Sequence, residues 1–147
     1  MTHDPLAFEF FNEIGILEQL SGALLDGVLP KGMTRAQFSV LNHFVRLGIE
    51  EKSPAALASA FQVTRPTMTS TLGRMEKNGL VHIRPDPQDG RAKLVSVTPM
   101  GRTMRETCLS ALASVVPRLN GVVSQEEMQH LLPRLRAIRV RLDAARD

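Results

Sequence analysis

The sequence predicts a mainly α-helical fold carrying one small β-hairpin, and three observations lead there. Apolar residues recur at helical spacing from Leu6 almost to the C-terminus. A period of two replaces that spacing only around Leu80–Arg84 and Val95–Val97. Hydroxyl residues suited to helix N-caps, Thr34, Ser53, Thr64, Thr98 and Ser124, stand where five of the helical stripes begin.

At 147 residues the chain is long enough for one domain with a substantial core, and neither a repeat nor a low-complexity stretch interrupts it. Leu6–Leu29 reads as the first helix, with Leu6, Phe10, Ile14, Leu17, Leu24 and Val28 along one side. A terminal helix this apolar is expected to lie between other elements. After a turn at Pro30–Met33, Thr34-Arg-Ala-Gln37 forms a capping box for a second helix, which carries Phe38, Leu41, Phe44 and Val45 inward and ends at Gly48. Ser53-Pro54 opens a short third helix whose packing face is Leu57, Ala58 and Phe61. Only Gln62-Val63 separates it from the fourth, the tight spacing of a helix-turn-helix.

The fourth helix begins at the N-cap Thr64, tolerates Pro66 in its first turn, and stops at Asn78-Gly79. Met68, Leu72 and Met75 make its buried stripe. Thr67, Ser70, Thr71, Arg74 and Lys77 make a face of hydroxyls and cations without a carboxylate, suited to phosphates and base edges in a major groove. In the hairpin that follows, Val81, Ile83, Val95 and Val97 share one side, and His82, Arg84 and Ser96 the other. Pro85–Gly90 is expected to end the ladder and project as a tip, from which Arg91 and Lys93 point outward while Asp89 holds the Arg91 guanidinium.

Thr98-Pro99 starts a fifth helix expected to run to about Asn120, with Met104, Cys108, Leu112 and Val115 aligned and Pro117 weakening the last turn. Ser124-Gln-Glu-Glu127 is a second capping box. The last helix then repeats Met128, Leu131, Leu135, Ile138, Leu142 and Ala145 in steps of three and four, a seam that signals a dimer, bent by Pro133. Arg134, Arg139 and Arg141 either meet Glu9, Glu13 and Glu18 between two chains or form a solvated basic face.

The formal charge is only +3, but its distribution is uneven. Residues 1–30 hold five acids and no Lys or Arg; residues 64–105 hold eight bases against three acids. A positive field centred on the fourth helix and hairpin suits a polyanion. A single cysteine excludes an internal disulfide, and MTHDPLAFEFF lacks the regions of a signal peptide, so a cytoplasmic location away from any membrane is expected. No nucleophile elbow, phosphate-binding glycine loop or paired-carboxylate motif is present, which argues against an enzyme. The scattered histidines show no metal-ligand spacing, and no cofactor is implied.

The runs RPTMTSTLGRMEKNGLV and DPQDGRAKLVSVT closely resemble the recognition helix and wing of the MarR family of bacterial winged-helix transcription regulators. The specific part of the resemblance covers residues 53–101, and the flanks agree in helix pattern. One departure is Gly90, where the family often has a second arginine before the one matching Arg91.

The residues and the resemblance together lead to a single MarR-like domain, 1–147, with a winged helix-turn-helix lobe at 34–98 and dimerisation helices at 5–29 and 99–145. The expected function is sequence-specific binding of double-stranded DNA by a homodimeric regulator on an inverted-repeat operator. Arg65, Thr67, Ser70, Thr71, Arg74, Lys77, Arg91 and Lys93 are the expected DNA contacts, with Asp89 supporting the wing. The resemblance further implies a repressor released by a small aromatic or anionic effector; His43 and Arg46 are candidate anchors for it. Two other readings stay open at this point: a winged helix used only for protein contact, and a thiol-based redox sensor acting through Cys108.

Overall fold

Along residues 4–146, which a computed structural model describes, the elements follow in the order α1 (Leu6–Asp26), α2 (Arg35–Leu47), α3 (Pro54–Phe61), α4 (Arg65–Lys77), β1 (Val81–Asp86), β2 (Asp89–Val97), α5 (Pro99–Ala113), α6 (Val116–Leu119) and α7 (Gln125–Ala144). They fall into two compact units, the first ending at Leu112 and the second starting at Ala113.

The first unit is built around α4. Met68, Leu72 and Met75 from its buried stripe pack with Val40, Leu41 and Phe44 of α2, Leu57 and Ala58 of α3, Leu80 just before the hairpin, and Val81 and Val95 within it. Val40 takes the inward position expected of Val45, which is only half-buried. Local chemistry explains most boundaries. The Thr34 hydroxyl accepts from the Gln37 N–H at 3.2 Å, and Gln37 Oε1 accepts from the Thr34 N–H at 3.3 Å; this box also explains why Gln37 is buried. Gly48, with φ at 63°, ends α2.

Between α3 and α4 the chain turns through Gln62, left-handed at φ 53°, while the Val63 N–H reaches back to the Ala58 carbonyl at 3.0 Å. Thr64 Oγ1 then accepts from the Thr67 N–H at 3.2 Å. This short, bonded connection fixes how α4 is presented. α1 is joined to α2 by Arg35, whose guanidinium crosses Gly22 and donates to Glu18 and Asp26, each at 3.0 Å. Glu18 therefore has a partner within its own chain.

Three element boundaries expected from the sequence need correction. α1 ends at Asp26, and Val28 and Leu29 only close a tight final turn onto the Leu25 carbonyl. α5 stops at Ala113 instead of reaching Asn120: Pro117 has no N–H for the Ala113 carbonyl, and its ring would collide with that group, so the chain restarts as the one-turn α6 with Pro117 in its first turn. The hairpin ladder also continues past Pro85, the point at which the sequence suggests it should end. Pro85 pairs with Lys93 and Asp86 with Asp89, with an irregularity between Pro85 and Asp86.

In the second unit, Ser124 and Glu127 form the expected capping box of α7, with bonds of 3.0 and 2.8 Å. Pro133 lies inside this helix. The large apolar residues Met128, Leu131, Leu132, Leu135, Val140 and Leu142 are exposed along it.

Candidate nucleic-acid interface

Outside its buried stripe, α4 presents a side towards the hairpin and a second side facing away from it. Arg65, Thr69, Gly73 and Glu76, spaced by four, four and three, line a cleft of about 660 Å³ shared with Ile83, Arg84, Pro85 and Arg91–Lys93 of the hairpin. Ser70, Arg74 and Lys77 are exposed and lie opposite the buried stripe. Thr67 and Thr71 adjoin Ser70 and Arg74 at helical spacing, and their hydroxyls make local bonds: Thr64 Oγ1 donates to Thr67 Oγ1 at 2.8 Å, and Thr71 Oγ1 donates to the Thr67 carbonyl at 3.1 Å. Thr71 is half-buried. The structure thus brings Arg65, Arg91 and Lys93 to one cleft, while Thr67, Ser70, Thr71 and Arg74, at positions i, i+3, i+4 and i+7, remain neighbours along one side of α4 with Lys77 beside them.

Charge narrows in the same way. Arg84 is held by Glu51 in a two-bond fork, Nε and Nη2 donating at 2.7 Å each. Arg105 donates to Asn42 Oδ1 at 3.2 and 3.1 Å and to Glu106 at 2.7 Å. Among the described residues, Arg65, Arg74, Lys77, Arg91 and Lys93 form no ion pair and remain available to an outside polyanion.

At the tip, Asp89 supports the wing differently from the sequence expectation. Its Oδ1 accepts from the Arg91 backbone N–H at 3.1 Å, while Asp86 Oδ1 accepts from the Gln88 N–H at 2.9 Å. An aspartate bonding its own backbone two residues on shapes the turn and leaves the Arg91 guanidinium unpaired. Sequence reasoning missed Glu51, Lys52 and Glu76, which bind the wing root. For Glu76 the signal was its position on the Arg65–Thr69–Gly73 side of α4; Glu51 and Lys52 offered none, because their partners are distant in the chain.

His43 and Arg46 do not line the wing cleft. His43 packs against Phe61, with ring centroids 5.2 Å apart, and its Nε2 lies 3.1 Å from Lys52 Nζ. The ammonium can only donate, so Nε2 accepts and the proton of the neutral ring sits on Nδ1. Burial, Lys52 and Arg46 all push the His43 pKa below its usual value. The unfolded state therefore binds the extra proton more readily, and stability is retained above the ordinary histidine range and lost as pH falls through it. The melting temperature is expected to drop between about pH 7.5 and 5.5, and less steeply in His43→Gln, as a pH series of thermal melts would show.

Cys108 is fully buried, and burial pushes its thiol pKa up. A peroxide-reactive thiolate needs the opposite on both counts. Among the described residues no cluster of three or more His, Cys, Asp or Glu is placed to hold a metal, and no helix is long and apolar enough to cross a membrane.

A model of the MarR family matches residues 31–92, which run from the turn before α2 into the wing. The transcriptional regulator HosA of Escherichia coli O111:H- is 31% identical over 120 residues, covering 81% of this chain and 86% of HosA. This chain belongs to the MarR family. The transcriptional activatory protein BadR of Rhodopseudomonas palustris is 36% identical over 80 residues, which cover 54% of this chain and 46% of BadR, about half of that relative. Among solved structures, the regulator BldR of Sulfolobus solfataricus superposes with a TM-score of 0.77 at 26% identity, covering 96% of this chain and 99% of BldR. A mutant MarR from E. coli, crystallised with operator DNA, has a TM-score of 0.70 at 26% identity over 92% of this chain and 99% of that one. The helices, hairpin and cationic faces described above are accordingly those of a MarR-family winged helix, and the protein is a DNA-binding transcriptional regulator.

Proposed function

We propose that the protein works as a homodimer on an inverted-repeat operator, each lobe presenting Ser70 and Arg74 to a major groove. Lys77 then lies towards the backbone, and Arg65, Arg91 and Lys93 grip phosphates beside the adjacent minor groove. The observation that carries this reading is the set of unpaired cations on the outer face of α4 and around the wing cleft. Thr67 and Thr71 are proposed contacts on the same face, with hydroxyls that also make local bonds. The dimer rests on the apolar faces that α1 and α7 leave uncovered, each of which a second copy would bury. Repression and release by an aromatic or anionic effector are proposed on family membership, with His43 and Arg46 as anchors. Action on chromosomal DNA would place the protein in the cytoplasm.

Selection of bound fragments from genomic or random DNA tests the reading. An inverted repeat with half-sites about one turn, roughly 10 bp, apart is expected; a consensus without two-fold symmetry would overturn the proposed arrangement. Arg74→Ala should lose on the order of 1–3 kcal/mol on the selected site and relax its sequence preference, since an arginine on this face can pair with guanine. Arg91→Ala should instead weaken good and poor sites alike and lower the slope of log affinity against log salt by about one. Titration of aromatic carboxylates against a preformed complex tests effector control, release of DNA being the expected result.

A further inference from the structure

We propose that Glu51 and Glu76 are positioning residues that clamp the wing root from two sides and thereby set how far Arg91 and Lys93 stand from α4. The inference rests on the DNA-binding reading above. It starts at the rung where Ile83 faces Val95. There the backbone polar groups of both residues turn away from each other. The N–H and C=O of Val95 pair with Lys52 at 2.9 and 3.0 Å, and the N–H of Ile83 donates to Glu76 Oε2 at 2.9 Å. One residue along β1, the Glu51–Arg84 fork adds a third link, between residues 33 positions apart in sequence. Outside this rung neither Arg84–Asp86 nor Asp89–Leu94 contains a buried residue, so apolar packing does not set the angle of the tip. The polar links at the root are what remain to set it.

Charge supports the same assignment. Glu76 is the sole acidic residue of α4, on a helix whose free charges are otherwise positive, and an unengaged carboxylate there would repel a polyanion. Its oxygen is occupied by an edge amide of the wing instead. Because these links are exposed, they add little to folding stability. Their removal is expected to alter the position of the wing and leave the fold intact.

The test uses the full-length chain as Glu76→Ala, Glu76→Gln and Glu51→Ala, each alone and combined with Arg91→Ala/Lys93→Ala. Backbone 15N relaxation without DNA reports tip mobility over residues 86–91, and anisotropy with a random duplex at fixed salt reports binding. Glu76→Ala and Glu51→Ala should mobilise the tip and weaken binding roughly threefold to tenfold while melting near the wild-type temperature. Glu76→Gln, whose amide oxygen can still accept from Ile83, should restore both readouts. In the background lacking Arg91 and Lys93, neither alanine variant should weaken binding further. Unchanged tip relaxation would overturn the clamp, as would tighter binding by Glu76→Ala or an equal loss in the Arg91/Lys93 background. If the wild type bound no DNA, the functional reading would fall, and the relaxation measurement would still decide the clamp by itself.

Discussion

Gly101→Ala is expected to destabilise the protein by about 3 kcal/mol, lowering its melting temperature by roughly 6–12 °C. Gly101 lies in the first turn of α5, where the helix meets the wing root. A Cβ there would stand 2.1 Å from the Leu80 carbonyl oxygen and 2.8 Å from Val97 Cγ1. The first of these is backbone, and it cannot swing aside. Leu80 is also fixed by its own bonds: its carbonyl accepts from the Thr98 N–H at 3.1 Å, and its N–H donates to the Met75 carbonyl at 2.9 Å. Thr98 Oγ1 closes the corner by donating to the Gly79 carbonyl at 2.6 Å and accepting from the Gly101 N–H at 3.0 Å. The added methyl must therefore push α5 away from a segment that is buried and fully bonded. Gly73 supplies the contrast, since nothing lies within 4 Å of a Cβ built there. Gly73→Ala in mid-helix is expected to stabilise by about 0.5–1 kcal/mol through backbone entropy. Paired thermal melts check both signs; equal melting temperatures for the two variants would show that the close approach at Leu80 is not rigid.

The parts of this architecture legible in the sequence are those set by residues near one another in the chain. Thr34 with Gln37, Ser53 with Ala56, Thr64 with Thr67 and Ser124 with Glu127 are all contacts across three residues, and each helix start follows from one of them. The stripe of Met68, Leu72 and Met75 is a matter of period alone. Misplaced features depend on geometry that sequence spacing does not encode. Pro85 suggests a break in the ladder because it lacks a donor. Opposed pairs in an antiparallel ladder alternate between bonded and unbonded, and with Ile83 and Val95 pointing outward the Pro85–Lys93 pair is of the unbonded kind, so no ladder donor is missing. Arg84 illustrates the same limit for the site. By sequence it is one of eight bases in a positive region, and only the fold brings Glu51 against it, removing it from the charge available to DNA.

Leu17→Glu combined with Leu20→Glu is expected to abolish the proposed dimer and to reduce operator affinity at least a hundredfold, roughly the difference between gripping two half-sites and one. Leu17 and Leu20 are 61% and 62% exposed on α1 and lie outside the core cluster of the first unit, so the exchange leaves the folded lobe intact. Phe8, Phe10, Phe11 and Ile14 continue the exposed apolar surface along the same helix. A chain that leaves this much aromatic and aliphatic surface in water invites association, and an unpaired carboxylate buried within the resulting contact would cost several kcal/mol. Arg35 makes the site of the effect specific. By pairing with Glu18 and Asp26 it ties α1 to α2 within the same unit that carries α4, so a dimer contact made by α1 would be made by the DNA-binding unit itself. Sedimentation should then show a monomer, circular dichroism a folded helical protein, and anisotropy on the selected operator the loss of tight binding, with weak binding to random DNA at low salt retained through Arg65, Arg91 and Lys93. A double variant that still sedimented as a dimer and held its operator would remove α1 from the interface and leave α7 as the element to test next.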